Sequence, residues 1–338
     1  MTALRIAIMG TGRMAGIMAD TIKEMPDAQV VAVGSRKLET AQAFIEAHCA
    51  CGCGTATDSA SAAQTAVPYG SYAELVNADG IDLVYIATPH SEHFQHAMLA
   101  VEAGKAVLCE KAFCGNARMA KALIEKAHER GVFIAEAMWI RYKPFVQMLP
   151  KLIQEIDPQM LTCSLGYPKW FKPTITQPEL CGGAMMDLGV YLFNFARICF
   201  GTDIKQIFGH CVKSPETGLD VQDSISIVYN DGRLANMQCS VMCANDRQGM
   251  ISGKLGYIIV DNINNPQEYR VFNKDHELTA TYRSDAEITG YEYELRACHK
   301  ALLAGKLEPD EMPHAETIKV LDAMDFLRTR WEVKFPCD

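Results

Sequence analysis

Gly10-Thr11-Gly12-Arg13-Met14-Ala15 sets small residues at the first, third and sixth places of a segment that directly follows the apolar run ending at Met9. In a strand-to-helix turn each of the three has a task. Gly10 makes the tight bend, Gly12 lets the backbone approach a pyrophosphate, and Ala15 lets the helix pack closely on the strand. The helix start, lined by Thr11, Arg13 and Met14, then offers its first N–H groups and the positive end of its dipole to phosphate oxygens. The chemistry indicated is dinucleotide binding. At the end of the next apolar run, where a carboxylate would hold a ribose 2'-hydroxyl, the chain reads Gly34-Ser35-Arg36-Lys37. A carboxylate would repel a 2'-phosphate, whereas Ser35 can donate a hydrogen bond and Arg36 presents a charged planar fork. NADP is therefore expected ahead of NAD, the plainer alternative being an exposed basic helix start.

Two further clusters follow predicted strands: Thr88-Pro89-His90-Ser91-Glu92-His93 after Ala87, and Glu110-Lys111-Ala112-Phe113 after Cys109. Open α/β sheets bind ligands at such strand carboxyl ends. Thr88, Pro89, His90, His93, Glu110 and Lys111 are accordingly expected at the cofactor. His90, His93 and His96 make a poor metal trio, because the first and last are six residues apart on a helix and point to different sides. No metal is expected. Lys111 reads either as half of a surface ion pair or as a group that polarises a substrate oxygen. In the second half, Cys181-Gly182-Gly183-Ala184-Met185-Met186-Asp187-Leu188-Gly189-Val190-Tyr191 opens a helix with Asp187 and Tyr191 four apart on one face. Taking a hydroxyl proton as hydride leaves requires a general acid/base, and a tyrosine near a cation can serve. The structural alternative is a buried tyrosine hydrogen-bonded to aspartate.

The elements that must carry these residues change character near residue 138. Before it, the runs Arg5–Met9, Gln29–Val33, Leu83–Ala87, Ala106–Cys109 and Val132–Ala135 alternate with helical patterns such as Met14, Met18, Ile22 and Met25. That alternation predicts a Rossmann domain over 1–138, an α/β fold with a parallel doubly wound sheet. After Pro144 a period of two appears in Ile225, Ile227, Met237, Cys239 and Val241, with an Asp231-Gly232 turn between strands. It predicts an α+β domain over 139–338 with a large, mainly antiparallel open sheet. One face would be packed, covered by helices near 183–200, 288–304 and 314–331, and the other would carry Asn236, Gln238 and Ser240. Loops such as 167–176 would shape a pocket.

At 338 residues, 49% hydrophobic and 22% charged, the chain suits two domains with sizeable cores. A net charge of -9 gives no footprint for nucleic acid or an anionic membrane. A small-molecule partner is expected. No leader or membrane span of about 20 apolar residues is evident. Thirteen scattered cysteines, many within apolar segments, fit a reducing cytoplasm. The 48–67 segment, with Cys49, Cys51 and Cys53 on alternate positions, reads as an inserted surface loop and lacks a zinc-ligand spacing.

Together these segments resemble the glucose-fructose oxidoreductase, inositol dehydrogenase and MocA family of NAD(P)-dependent oxidoreductases, over nearly the whole chain apart from the 49–66 insertion. Glu136-Ala137-Met138-Trp139-Ile140-Arg141-Tyr142-Lys143-Pro144 is similar to the segment joining the two domains of the family's dimeric dihydrodiol dehydrogenase-like members, and Pro313-His314-Ala315-Glu316-Thr317 to their last helix. Tyr191 stands where many members have histidine. The resemblance implies Lys111 and Tyr191 as a catalytic pair, with Asp187 orienting substrate or lysine, and Trp139, Arg141, Asp187 and Tyr191 around the substrate. It implies hydride transfer between the cofactor and an alcohol of a sugar, polyol or cyclic trans-diol. It also implies a homodimer, or a pair of dimers, through the second-domain sheet. A non-catalytic NAD(P)-binding regulator or scaffold on the same fold is the rival. The chain departs from the family pattern in Ala112, where proline is usual, and in Cys181, where the first of three glycines is usual.

Overall fold

The computed structural model describes residues 3–49, 66–285 and 287–338, so Cys51 and Cys53 of the expected insertion lie outside the described residues. The chain forms two compact units. The first comprises Met1–Phe113, Met119–Ala137 and Glu287–His314. Its six strands, β1 (Leu4–Met9), β2 (Ala28–Gly34), β3 (Val67–Tyr69), β4 (Leu83–Ile86), β5 (Ala106–Glu110) and β6 (Ile134–Ala137), are all parallel and run in the order β3-β2-β1-β4-β5-β6. Helices α1 (Arg13–Lys23), α2 (Leu38–His48), α3 (Tyr72–Val76), α4 (His90–Glu102) and α5 (Ala117–Arg130) lie between them in sequence. Ile6, Ile8, Val84 and Ile86 have no exposed surface, as in a sheet covered on both faces, which is why these strands read as unbroken apolar runs. The strand order reverses between β1 and β4, where Met9 stands beside Ile86, and ligands of such sheets bind outside that reversal.

The second unit comprises Cys114–Arg118, Met138–Ala286 and Ala315–Asp338. Its eight-stranded sheet is built from β7 (Pro158–Gly166), β8 (Ile204–Lys213), β9 (Asp220–Tyr229), β10 (Leu234–Ser240), β11 (Gly249–Gly253), β12 (Gly256–Val260), β13 (Glu268–Asn273) and β14 (Leu278–Arg283), in the order β14-β13-β12-β11-β7-β10-β9-β8. Only the β7–β10 pair is parallel. The Asp231-Gly232 turn joins β9 to β10, and Gly232 takes a φ of +90° that a glycine adopts at little cost. Ile225, Ile227, Ala235, Met237 and Cys239 point inward at 2% exposure or less, while Asn236 and Gln238 face outward. Ser240 departs from the expected outward row. It is buried because its hydroxyl accepts the backbone N–H groups of Met242 and Cys243 and so closes the strand end. The buried helix α6 (Val190–Phe200) lies against β7 and β10.

A single cut between 138 and 139 does not describe the chain. The helix α7 (Glu292–Leu303), expected over the second sheet, puts Leu295, Cys298 and Ala301 into the same core as Ile6, Ile8, Met18 and Ile22. Thr289 is hydrogen-bonded to Thr21 at 2.8 Å, and the Ile134 N–H donates to Leu307 O at 3.0 Å. An apolar helix face is legible from its spacing, but which sheet it covers is not. The last helix, α8 (His314–Trp331), packs Trp331 against Gly209 of β8, donating its indole N–H to the Gly209 carbonyl at 3.0 Å. No helix of the described residues is long and apolar enough to cross a membrane.

Candidate active site

In the first unit, Gly10 adopts φ +106°, and a Cβ there would lie 2.8 Å from the Ala87 carbonyl oxygen. Only glycine lets the ends of β1 and β4 approach this closely. Gly12 is exposed, with extended backbone, and precedes α1, which no side chain caps. A Cβ on Gly12 would meet nothing nearer than 4.0 Å. The helix start is thus open on the side where a pyrophosphate would need backbone donors, and the residues fit that group. Thr11 and Met14 are half-buried beside it and Arg13 is exposed.

Past the end of β2, Ser35 is buried with its N–H donated to Tyr69 O at 3.1 Å, and Arg36 is exposed. Tyr72, which the sequence reading missed, and His96, weighed there only as part of a metal trio, stand close by. Their rings meet edge-on at 4.5 Å, and His96 Nδ1 lies 3.0 Å from Thr88 Oγ1. Burial holds the His96 imidazole below its ordinary range, and the Arg36 charge adds to this against the pull of Glu92. Thr88, Pro89 and His90 are half-buried at the start of α4.

His93 and Glu110, expected at the cofactor, are both buried. His93 has no exposed surface, and its ring nitrogens lie 2.8 Å from Thr88 O and 2.9 Å from Ala112 O. It braces the two loops that follow β4 and β5. Burial, helped by the neighbouring His90, pushes its imidazole down to about 3 against the pull of both carbonyls. The Glu110 carboxylate accepts the buried Tyr85 hydroxyl at 2.5 Å, and burial pushes its carboxyl up against that bond and the Lys111 charge. Glu294 on α7, fully buried with neither carboxylate oxygen hydrogen-bonded, is pushed up further by burial and by Glu110. Lys111 is half-buried, and the peptide joining it to Ala112 is cis.

In the second unit, Met185–Gly189 forms a widened π-helical turn that runs into α6, and π turns are frequent at functional sites. The turn is pinned from below: Asp220 Oδ2 accepts the Met185 N–H at 2.5 Å, and a Cβ on Gly183 would strike the same carboxylate. Asp187 projects from this turn and pairs with Lys169 at 3.2 Å. The Lys169 ammonium lies 4.4 Å from the Tyr167 ring centroid, and the Tyr167 hydroxyl donates to Asn264 and accepts from Arg247, each at 3.0 Å. Tyr191 is buried at 8% exposure. Sequence reasoning reaches Asp187 and Tyr191 but misses Lys169 and Arg247, because loop residues carry no periodicity that would point them at a partner. Lys111 belongs to the first unit, Asp187 and Tyr191 to the second.

Trp139 and Arg141, expected around the substrate, both belong to the second unit. Both lie in a short 3-10 turn, Trp139 at 7% exposure with the Lys143 ammonium 5.0 Å from its ring centroid. Arg141 donates to Asn194 at 2.7 Å and to Glu316 at 2.6 Å, and Glu316 also receives Arg197. Burial would raise the Glu316 carboxyl, but the two guanidinium groups hold it below its ordinary range. Arg141 is therefore part of an internal ion network. Among the described residues no three His, Cys, Asp or Glu side chains are grouped to hold a metal ion.

The strand order, the open helix start and the sequence itself define the class. The chain belongs to the GFO/IDH/MocA family of oxidoreductases: residues 4–137 match its NAD-binding Rossmann fold and residues 157–259 its C-terminal domain. The trans-1,2-dihydrobenzene-1,2-diol dehydrogenases of Xenopus laevis and Mus musculus are each 28% identical to it, covering 99% of this chain and 100% and 99% of theirs. Among solved structures, the 3-ketoreductase KijD10 of Actinomadura kijaniata, in complex with NADP and TDP-benzene, superposes with a TM-score of 0.83 at 21% identity over 97% of this chain and 98% of that one. The aldose-aldose oxidoreductase of Caulobacter crescentus, complexed with glycerol, gives 0.81 at 19% identity over 98% of each. The structural likeness is one of fold.

Proposed function

We propose that this oxidoreductase uses NADP to interconvert an alcohol group of a cyclic trans-diol, sugar or polyol with its carbonyl, without a metal. The observation that carries the reading is the open, uncapped start of α1 behind Gly10 and Gly12, followed at the end of β2 by Ser35 and Arg36 with no carboxylate. Gly10, Thr11, Gly12, Arg13 and Met14 would hold the pyrophosphate, and Ser35 and Arg36 the 2'-phosphate, with Thr88, Pro89, His90 and Lys111 toward the nicotinamide. When bound, the cofactor supplies or accepts a hydride at the carbinol carbon. The Tyr191 hydroxyl would exchange the proton of the substrate oxygen, and Lys111 would stabilise charge on that oxygen. Asp187, already paired with Lys169, would orient the substrate from the π turn. The full-length likeness to dihydrodiol dehydrogenases supports the substrate class.

The same reading includes a homodimer through the outward face of the second sheet. Phe208, Leu234 and Met160 are each 37% exposed or more beside Asn236 and Gln238, and Leu234 stands opposite Met160. A cytoplasmic setting suits the buried thiols Cys109, Cys163, Cys199 and Cys298.

Calorimetric titration should show NADPH binding more tightly than NADH, with Arg36→Ala eroding the difference, and NADP+ should be reduced in the presence of a trans-diol or a sugar. Equal affinity for the two cofactors in the unmodified protein would remove the NADP assignment. Absence of turnover across a wide panel of diols, sugars and polyols would leave a cofactor-binding protein rather than an enzyme.

A further inference from the structure

Cys181 Sγ and Cys337 Sγ lie 3.7 Å apart, both in the second unit. Cys181 is the residue before Gly182-Gly183 and so opens the turn that carries Asp187, and Cys337 lies in the segment after α8. We propose that these two cysteines are a redox-active dithiol that closes to an intrachain disulfide, a modification site that ties the segment after α8 to the loop leading into the candidate active site.

Three features support it. The first is placement: a disulfide requires about 2.05 Å between sulfurs, so the pair must close by less than about 2 Å, within reach of a side-chain adjustment. The second is that the segment after α8 is held in place by hydrogen bonds. The Cys337 carbonyl accepts Asn116 Nδ2 at 3.1 Å and Arg118 Nη2 at 2.9 Å, and the Asp338 carboxylate accepts Arg328 at 3.2 Å and the Phe335 N–H at 2.8 Å. Cys181 itself sits in the left-handed region at φ 53°, ψ 50°, where a side chain other than glycine is strained, yet its thiol is held inside at 1% exposure, facing its partner. The third is unequal reactivity. Cys337 is half-buried, and the hydrogen bond from Cys181, with Arg328 assisting, brings its thiol down to about 7 against burial. The same bond, with burial, pushes Cys181 up. The half-buried Cys337 sulfur is the one a small oxidant can reach, and the buried Cys181 sulfur is the one left to resolve the adduct.

With a low-molecular-weight disulfide of the glutathione class as oxidant, the Cys337 thiolate attacks one sulfur, forms a mixed disulfide and releases one small thiolate. Cys181 gives its proton to solvent and attacks the Cys337 sulfur, which releases the second small thiolate and forms the Cys181–Cys337 bond. The protein loses two protons and two electrons, and the oxidant takes up both to become two thiols.

The test is to incubate the full chain with oxidised glutathione under native conditions, alkylate it, and follow intact mass and non-reducing peptide maps. Two of the thirteen cysteines should become resistant to alkylation, the peptides holding Cys181 and Cys337 should be cross-linked, and dithiothreitol should reverse both changes. Cys337→Ser, a change on a half-buried tail, should abolish the cross-link while the melting temperature and NADPH affinity stay as in the unmodified protein. Cys181→Ser should leave a lasting glutathione adduct on Cys337. Full alkylation of both residues after oxidation would overturn the proposal, as would an unresolved adduct on Cys337 with Cys181 intact or a pairing of either with another cysteine.

Discussion

Tyr191 sits at 8% exposure just beyond the π turn, where a phenol used only for packing and one used for proton exchange differ in what their loss does. Removing the hydroxyl by Tyr191→Phe keeps the ring volume, so stability should change by less than about 1.5 kcal/mol. Turnover on the best substrate should fall about a hundredfold or more, with NADPH affinity unchanged. Lys111→Met should act similarly, and the double variant should lose less than the product of the single losses, since each group's contribution depends on the other. Full activity of Tyr191→Phe in steady-state assays would return this residue to the core. Individual residues were legible in proportion to how far their role depends on their own backbone. Gly10 and Gly12 stand where their spacing puts them, because a turn beside a strand end dictates the residue type locally. The partners of His93, Glu110 and Arg141 were not legible, because a polar side chain's partner is chosen by distant segments: Ala112, Tyr85 and Glu316 are respectively 19, 25 and 175 residues away.

At the scale of elements, His93 links the start of α4 to the loops after β4 and β5, and its ionisation should register in the stability of the whole first unit. The unfolded imidazole binds its proton near pH 6.5, the folded one near 3. Between these values the unfolded chain carries the extra proton, so stability rises with pH. The contribution is fully present above about pH 6.5 and is lost as pH falls toward 3, at up to about 1.4 kcal/mol per unit. His93→Gln should be less stable at pH 7 by about 1–3 kcal/mol, the cost of disturbed buried hydrogen bonds, and should lose stability less steeply on acidification. Urea denaturation from pH 7 to 4.5 measures both, and an unchanged acid slope would show that His93 titrates freely in the folded state. Most strands of the first sheet were visible because parallel strands buried on both faces are continuous apolar runs, but β3 was not. Its three residues follow a segment rich in Ala, Ser and Thr and are too few to show a pattern. The loop carrying Tyr167 and Lys169 was visible only as a loop, since nothing local in it points toward Asp187.

For the whole molecule, the outward face of the second sheet mixes exposed Phe208, Val212 and Leu234 with Asn236 and Gln238. Such a mixture is compatible with an interface whose centre is apolar and whose rim is polar. Light scattering after size exclusion should give about twice 37.3 kDa at micromolar protein, and Phe208→Glu with Leu234→Lys should return the mass to that of one chain without a change in melting cooperativity. A single-chain mass for the unmodified protein would rule the dimer out. The chain's late return to its first unit has a consequence for biosynthesis. The six parallel strands are all synthesised by residue 137, yet Leu295, Cys298 and Ala301 are still absent from the core they share with Ile6 and Ile8. At roughly 5–20 residues per second, a ribosome needs on the order of ten seconds or more to reach them. During that interval the N-terminal segment lacks the helix that supplies Leu295, Cys298 and Ala301 to its core. The eight-stranded sheet, whose last strand ends at Arg283, has all its strands before the older sheet has its full core. The sheet made first is therefore still short of its core when every strand of the second sheet has been made.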